Sequence, residues 1–284
     1  MGLTGFRPTP QDVAERLKEI NLKVNEALRS IGNVIVVMSG KGGVGKSVIS
    51  AAISIALTYL KRDVGLLDAD IHGPSIPWIL GIESKHMYVD DTGKIVPVIA
   101  KGGVKVVSIE LALESRTSPV AWRGPLKTKA ILDLITLTNW GLLDYLVVDL
   151  PPGTGDEALT ITRYLKPKLR GIVLVLTPGK MVAHVVTKAK NFAYIVGAKV
   201  LGAVINMSYI KCPCCNALLR PFGSLGHIDV EILEELPLDG DLAKAVDEGN
   251  LADFMINNIN GNEWVRKIFS LTKKLVREVE GKEL

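Results

Sequence analysis

The chain has 284 residues, 48% hydrophobic and 23% charged, with 34 basic and 30 acidic residues and a formal net charge of +4. That length and balance suit one large α/β domain with a buried core, and so mild a charge makes no case for nucleic acid as a partner. All three cysteines lie between 212 and 215, which excludes a secreted disulfide scaffold.

No apolar run approaches membrane-spanning length, and the N-terminus lacks the apolar core of a signal peptide. The expectation is a cytoplasmic protein with no stable membrane association. Residues 1–8 read as a tail. Thr9 suits an N-cap, Pro10 the first helical turn and Asp12 the positive end of the dipole. Val13, Leu17, Ile20, Val24, Leu28 and Ile31 recur on one helical face, and Gly32 is placed to stop the helix. The chain therefore divides into a tail and amphipathic helix over 1–32 and a nucleotide-binding domain over 33–284.

Val34–Met38 reads as a short buried strand, and Val48–Leu60 as a helix rich in Ala, Ile and Leu. Between them stand Gly40, Lys41, Gly42, Gly43, Val44, Gly45, Lys46 and Ser47. Strand, glycine-rich loop and helix is the context of a phosphate-binding loop. Glycines let successive backbone N–H groups turn inward toward phosphate oxygens, and the helix start adds its dipole. Lys46 is expected on the β- and γ-phosphates and Ser47 on Mg²⁺. Lys41 is surplus to that pattern. It reads either as a solvated surface charge or as a contact to phosphate across a subunit interface.

Asp63–Leu67 forms a second apolar strand, ending in Asp68, Ala69, Asp70, Ile71, His72, Gly73, Pro74 and Ser75. Two carboxylates at the ligand-binding edge of an α/β sheet suit two roles. Asp68 belongs near the Mg²⁺ shell, and Asp70 suits orientation of the attacking water. The alternative is that both cap the turn at Gly73–Pro74. Short β-like pieces over 95–100 and 104–109 follow. Trp122, Arg123, Gly124 and Pro125 then lead into a helix reaching about Leu137.

Asp144–Leu150 is a further strand, running into Pro151, Pro152, Gly153, Thr154, Gly155 and Asp156. An acid at the end of a buried strand suits Mg²⁺ held through water, which assigns Asp149. The loop after it begins rigid and ends flexible, as a γ-phosphate-sensing switch requires; a plain turn is the alternative. Strands over 171–176 and 199–206 alternate with a helix over 182–195. This alternation argues for a doubly wound, mostly parallel sheet flanked by helices. Asn206 is placed to hydrogen-bond the base. No Lys-x-Asp follows it, so ATP is preferred over GTP.

Cys212 and Cys215 form Cys-x-x-Cys in a loop spanning about 209–223. The spacing lets two thiolates grip one metal or cluster, and the chain holds no second pair. A symmetric dimer would supply four sulfurs, suited to Zn²⁺ or to a [4Fe–4S] cluster. A redox dithiol and structural cysteines are the other readings, and Cys214 leaves a Cys212–Cys214 register open. An edge strand over 228–236 ends at Pro237, in a segment placed to lie along the adenine. The last helix, about 262–280, carries Trp264, Ile268, Leu271, Leu275 and Val279 on one side and basic residues on the others. It reads as packed on the core, with a membrane-surface helix the alternative.

The deviant loop Gly40–Ser47 resembles that of the MinD/ParA/nitrogenase-iron-protein ATPases. In that class the extra lysine, here Lys41, reaches the partner subunit's nucleotide. Together with Asp68–Ser75, Asp149–Asp156, Trp122–Pro125 and Cys212–Cys215, the ordered set resembles the Mrp/ApbC family of iron–sulfur carrier ATPases over about residues 10–270. The resemblance implies a homodimer bridging one [4Fe–4S] cluster through Cys212 and Cys215 of each subunit. It also implies slow ATP hydrolysis coupled to delivery of the cluster to apo iron–sulfur proteins. The chain departs from the common pattern at Cys214 and at Asn216, where a glycine often stands.

Overall fold

The computed structural model describes residues 9–113 and 124–281. Thr9 caps α1 (Pro10–Ala27): its hydroxyl accepts from the Asp12 N–H at 3.2 Å, and Asp12 Oδ2 accepts from the Thr9 N–H at 2.8 Å. The helix is shorter than its apolar periodicity suggests. A 3₁₀ turn, Leu28–Ser30, follows, and Ile31 opens β1 (Ile31–Ser39) by pairing with Leu143. Gly32 is thus a strand residue rather than a helix stop. A Cβ there would stand 2.9 Å from the Asp144 carbonyl, so the residue admits a close strand approach. Leu17, expected on the buried face, is half exposed, while Val24 and Leu28 are buried.

The chain continues through α2 (Lys46–Tyr59), β2 (Val64–Asp68), α3 (Ile76–Ile79), β3 (Tyr88–Val89), β4 (Ile95–Val96), β5 (Val98–Ile99) and β6 (Lys105–Ser108). Next come α4 (Gly124–Leu137), β7 (Leu143–Asp149), α5 (Asp156–Leu165), β8 (Leu169–Leu176) and α6 (Val182–Val196). The remainder is β9 (Val200–Lys211), β10 (Leu218–Leu219), β11 (Ile232–Pro237), α7 (Gly240–Asp247), α8 (Leu251–Asn257) and α9 (Glu263–Glu280). The main sheet runs β10-β9-β8-β1-β7-β2-β6-β5, with β11 on β9. Pairing is parallel except for β10 on β9 and β5 on β6. This is the doubly wound α/β sheet that the alternation predicts.

Alternation along β1 sends Ile35 and Val37 into one core, with α2, α3, α8 and α9, and Val34, Val36 and Met38 into the other, with α1, α4, α5 and α6. Each buried Ile or Leu contributes roughly 1.5–3 kcal/mol relative to exposure, so both layers are held by ordinary apolar burial. The terminal helix belongs to the first layer. Trp264, Ile268, Leu271 and Leu275 are buried, and Lys267 and Lys274 pair with Glu234 on β11 at 3.3 and 3.6 Å. Its apolar face is therefore used inside the fold. Among the described residues, no helix is long and apolar enough to cross a membrane.

Registers fix the site. Asp68 on β2 stands opposite Asp149 on β7, and Val37 on β1 stands opposite the same Asp149. Both acids and the loop leaving β1 therefore meet at the carboxyl edge of the sheet, where open α/β folds bind ligands.

Candidate nucleotide site and cysteine turn

Two glycines in the loop after β1 take left-handed backbone, Gly43 at φ 74° and Gly45 at φ 84°, and Gly45 caps α2. A Cβ on Gly45 would meet Asn206 Nδ2 at 2.3 Å, so this glycine also admits a close neighbour. Ser39 donates to the Lys41 carbonyl at 2.9 Å, and Gly153 N–H donates to the Ser39 carbonyl at 2.7 Å. The phosphate loop is thus tied to the Pro-Pro-Gly loop at their shared root.

Asp149 organises the floor. Lys46 Nζ lies 2.7 Å from its Oδ2, Ser47 Oγ donates to the same oxygen at 2.6 Å, and Ser50 Oγ donates to Oδ1 at 2.6 Å. The carboxylate is fully buried, a position that charge pairing and several hydrogen bonds make tolerable. Ser50 is absent from any sequence motif; its signal is its position three residues after Ser47, on the same face of α2.

Asp68 is also buried. It accepts from the Asp70 N–H at 3.2 Å, the Ile76 N–H at 3.3 Å and Ser108 Oγ at 3.2 Å. Burial first, and the neighbouring Asp149 second, push its carboxyl up to about 8. A hydroxyl and two carboxylates, Ser47, Asp68 and Asp149, make a hard-oxygen donor set that fits Mg²⁺.

A cavity of about 570 Å³ opens above this floor. Its wall includes Lys41, the loop residues Gly42 to Ser47, Asp70, Trp78 and Pro152. Lys41 is exposed and faces this space, and Asp70 is half-buried on its rim. Gly40 lies at the loop's start, packed so that a Cβ would strike Val185.

The two residues expected on the base, Asn206 and Pro237, pack as follows. Asn206 donates Nδ2 to the Val44 carbonyl at 2.9 Å, bracing the loop from below. Pro237 is buried at the end of β11. Neither lines the cavity. Strand β9 runs five residues past Asn206 before it turns, which places the asparagine beside the loop rather than at an open strand end. Trp122 and Arg123 lie outside the described residues.

The cysteines occupy the hairpin between β9 and β10. Cys212 N–H donates to the Ala217 carbonyl at 2.9 Å, and Asn216 N–H to the Cys212 carbonyl at 2.9 Å. Backbone N–H groups of Cys215 and Cys214 approach the Cys212 sulfur and hold its thiol below the usual cysteine range. Cys212 is half-buried; Cys214 and Cys215 are exposed. Asn216 takes φ 58°, the left-handed place a glycine would fill, and asparagine is among the few residues that adopt it readily. The departure from glycine therefore preserves the turn. Among the described residues, no three His, Cys, Asp or Glu side chains converge on a metal position.

A glycine loop at the switch point of a doubly wound sheet, closed by a lysine, a serine and a strand-end aspartate, defines a P-loop NTPase. Its second lysine and the cysteine hairpin narrow the class. The ParA family model, described as NUBPL iron-transfer P-loop NTPase, matches residues 30–276, and the chain belongs to that family. It is 41% identical over 256 residues to the iron-sulfur cluster carrier protein of Saccharolobus solfataricus, covering 86% of each chain. It is 41% identical over 218 residues to a cytosolic Fe-S cluster assembly factor, the Nubp2 homolog of Drosophila pseudoobscura, covering 76% of this chain and 84% of that one. Among solved structures, the nucleotide-binding protein of Archaeoglobus fulgidus in complex with ADP is 38% identical, with a TM-score of 0.72 over 82% of this chain and 93% of that one.

Proposed function

We propose that this chain is an ATP-hydrolysing carrier that holds a [4Fe–4S] cluster as cargo and delivers it to apo iron–sulfur proteins in the cytoplasm. The observation that carries the reading is the path of β9. The strand holds Asn206 against the phosphate loop and, five residues on, ends at Lys211, next to Cys212. One strand therefore links the brace of the phosphate loop to the start of the cysteine turn.

In this reading the carrier is a homodimer. Cys212 and Cys215 of two copies provide four thiolates, the number a [4Fe–4S] cluster takes. The low-lying Cys212 thiol suits a thiolate ligand. Lys41, exposed beside the cavity, reaches the nucleotide of the facing copy. Lys46 leaves Asp149 for the β- and γ-phosphates, and Ser47, Asp68 and Asp149 would hold Mg²⁺, which would supply charge neutralisation at the phosphates. Asp70 orients a water whose oxygen attacks the γ-phosphorus. The bond to the β–γ bridging oxygen breaks, ADP leaves, and the water's proton passes out with the phosphate.

The experiment is transfer from the reconstituted homodimer to the apo form of a [4Fe–4S] enzyme, read as recovered enzyme activity. Wild type with ATP should transfer, and a Lys46→Ala variant loaded equally should show transfer unaffected by ATP. Equal ATP response in both would contradict the coupling.

A further inference from the structure

A buried lysine outside the motifs links the loop after β2 to the start of α5. Lys127, on α4, is only 7% exposed. Its ammonium meets His72 Nε2 and stands 3.3 Å from Glu157 Oε1. His72 lies two residues beyond Asp70 in the loop after β2. Glu157 sits in the first turn of α5, directly after the Pro-Pro-Gly loop. Lysine has only donors, so in this contact the Lys127 ammonium donates to His72 Nε2.

The neighbourhood gives this bridge a purpose. A second cavity, of about 820 Å³, lies between the same two loops, lined by His72 and Glu157. It shares Asp70, Gly73 and Pro152 with the cavity above the phosphate loop. The bridge thus stands on the side of Asp70 remote from the phosphate loop. Burying an ammonium is costly without partners, and among the described residues His72 and Glu157 are the partners it has. Sequence reasoning passes over it because His72, Lys127 and Glu157 are far apart in the chain.

We propose that Lys127 is a positioning residue for ATP hydrolysis, pinning the Asp70 loop to the start of α5 so that Asp70 holds the attacking water in line. This rests on the reading of the site as an ATPase. The pin touches neither the phosphate loop nor Lys46, so it acts on turnover rather than on nucleotide affinity. Misplacing a positioned group by about 1 Å costs up to roughly 100-fold in rate, which sets the scale.

His72 is exposed, so its substitution spares the fold. Steady-state ATPase is measured for wild type, His72→Leu, His72→Gln and Lys127→Met in the full-length protein, with melting temperatures alongside. His72→Leu removes the acceptor and should lower kcat roughly 10- to 100-fold with KM for ATP within about twofold. His72→Gln keeps an acceptor oxygen and should recover most of the loss. Lys127→Met should follow His72→Leu, again in kcat alone. An active wild type with His72→Leu at full kcat would overturn the pin and leave the ATPase reading standing. So would equal loss in His72→Leu and His72→Gln, or a KM that rises with the fall in kcat. A wild type that does not hydrolyse ATP would overturn both.

Discussion

Lys46 and Asp149 meet at 2.7 Å beneath the phosphate loop, 103 residues apart in sequence and both buried. The pair is one corner of a network, since Asp149 also holds Ser47 and Ser50. Removing the acid strands a buried ammonium, while Ser50 keeps the Lys46 carbonyl as an acceptor at 3.0 Å. Asp149→Ala should therefore lower unfolding free energy by about 3–5 kcal/mol in urea titrations without nucleotide. A loss below about 1 kcal/mol would show that the network carries little of the fold's stability.

Binding and turnover should separate between Lys46 and Asp70. Lys46→Ala removes the phosphate contact and should abolish binding of a fluorescent ATP analogue. Asp70→Ala, on the cavity rim, should keep affinity within about threefold and lose turnover by at least roughly 100-fold. Parallel losses of affinity in both variants would contradict the division of roles.

Gly45 is constrained twice, by φ 84° and by Asn206 at its back. Gly45→Ala should cost roughly 1–2 kcal/mol from backbone conformation alone and should displace Asn206 from the loop. Asn206→Ala relieves the crowding, so the double variant should bind nucleotide better than Gly45→Ala. Calorimetry on the three variants checks this, and strictly additive losses would count against the contact.

Asp68 gives a pH signature. Its folded pKa, about 8, lies above the 3.8 of an ordinary aspartate. The folded chain therefore keeps a proton that the unfolded chain loses. That contribution to stability is full below about pH 4 and is lost as pH rises through about 8. Asp68→Asn stays neutral throughout. In chelator-treated buffer its stability relative to wild type should grow between about pH 5 and pH 9. A constant difference across that range would show that Asp68 is ionised throughout.

The phosphate loop, the strand-end acids and the cysteine pair were legible because each is a local pattern. Spacing within eight residues defines Gly40–Ser47, and an acid ending an apolar run marks Asp149. Ser50 and Ser108 were not legible, since their roles depend on packing of α2 and on the register of β2 with β6. Ile31 fits a helical stripe in sequence and Gly32 a helix stop, yet both belong to β1, where Ile31 pairs with Leu143 of β7. Asn206 ends an apolar run just as Asp149 does, yet β9 continues beyond it and turns its amide onto Val44. Asn216 shows the converse: an unusual residue in the motif, preserved backbone in the fold.

The central claim is that Cys212 and Cys215 of two copies hold one cluster. The most direct test is iron and acid-labile sulfide per dimer after anaerobic reconstitution, with mass determined in solution. Wild type should give a dimer with about four irons and the broad visible absorption of a [4Fe–4S] centre, while Cys212→Ala and Cys215→Ala should give little iron. A zinc-loaded dimer without iron, or cysteine variants that bind iron as wild type does, would contradict the claim.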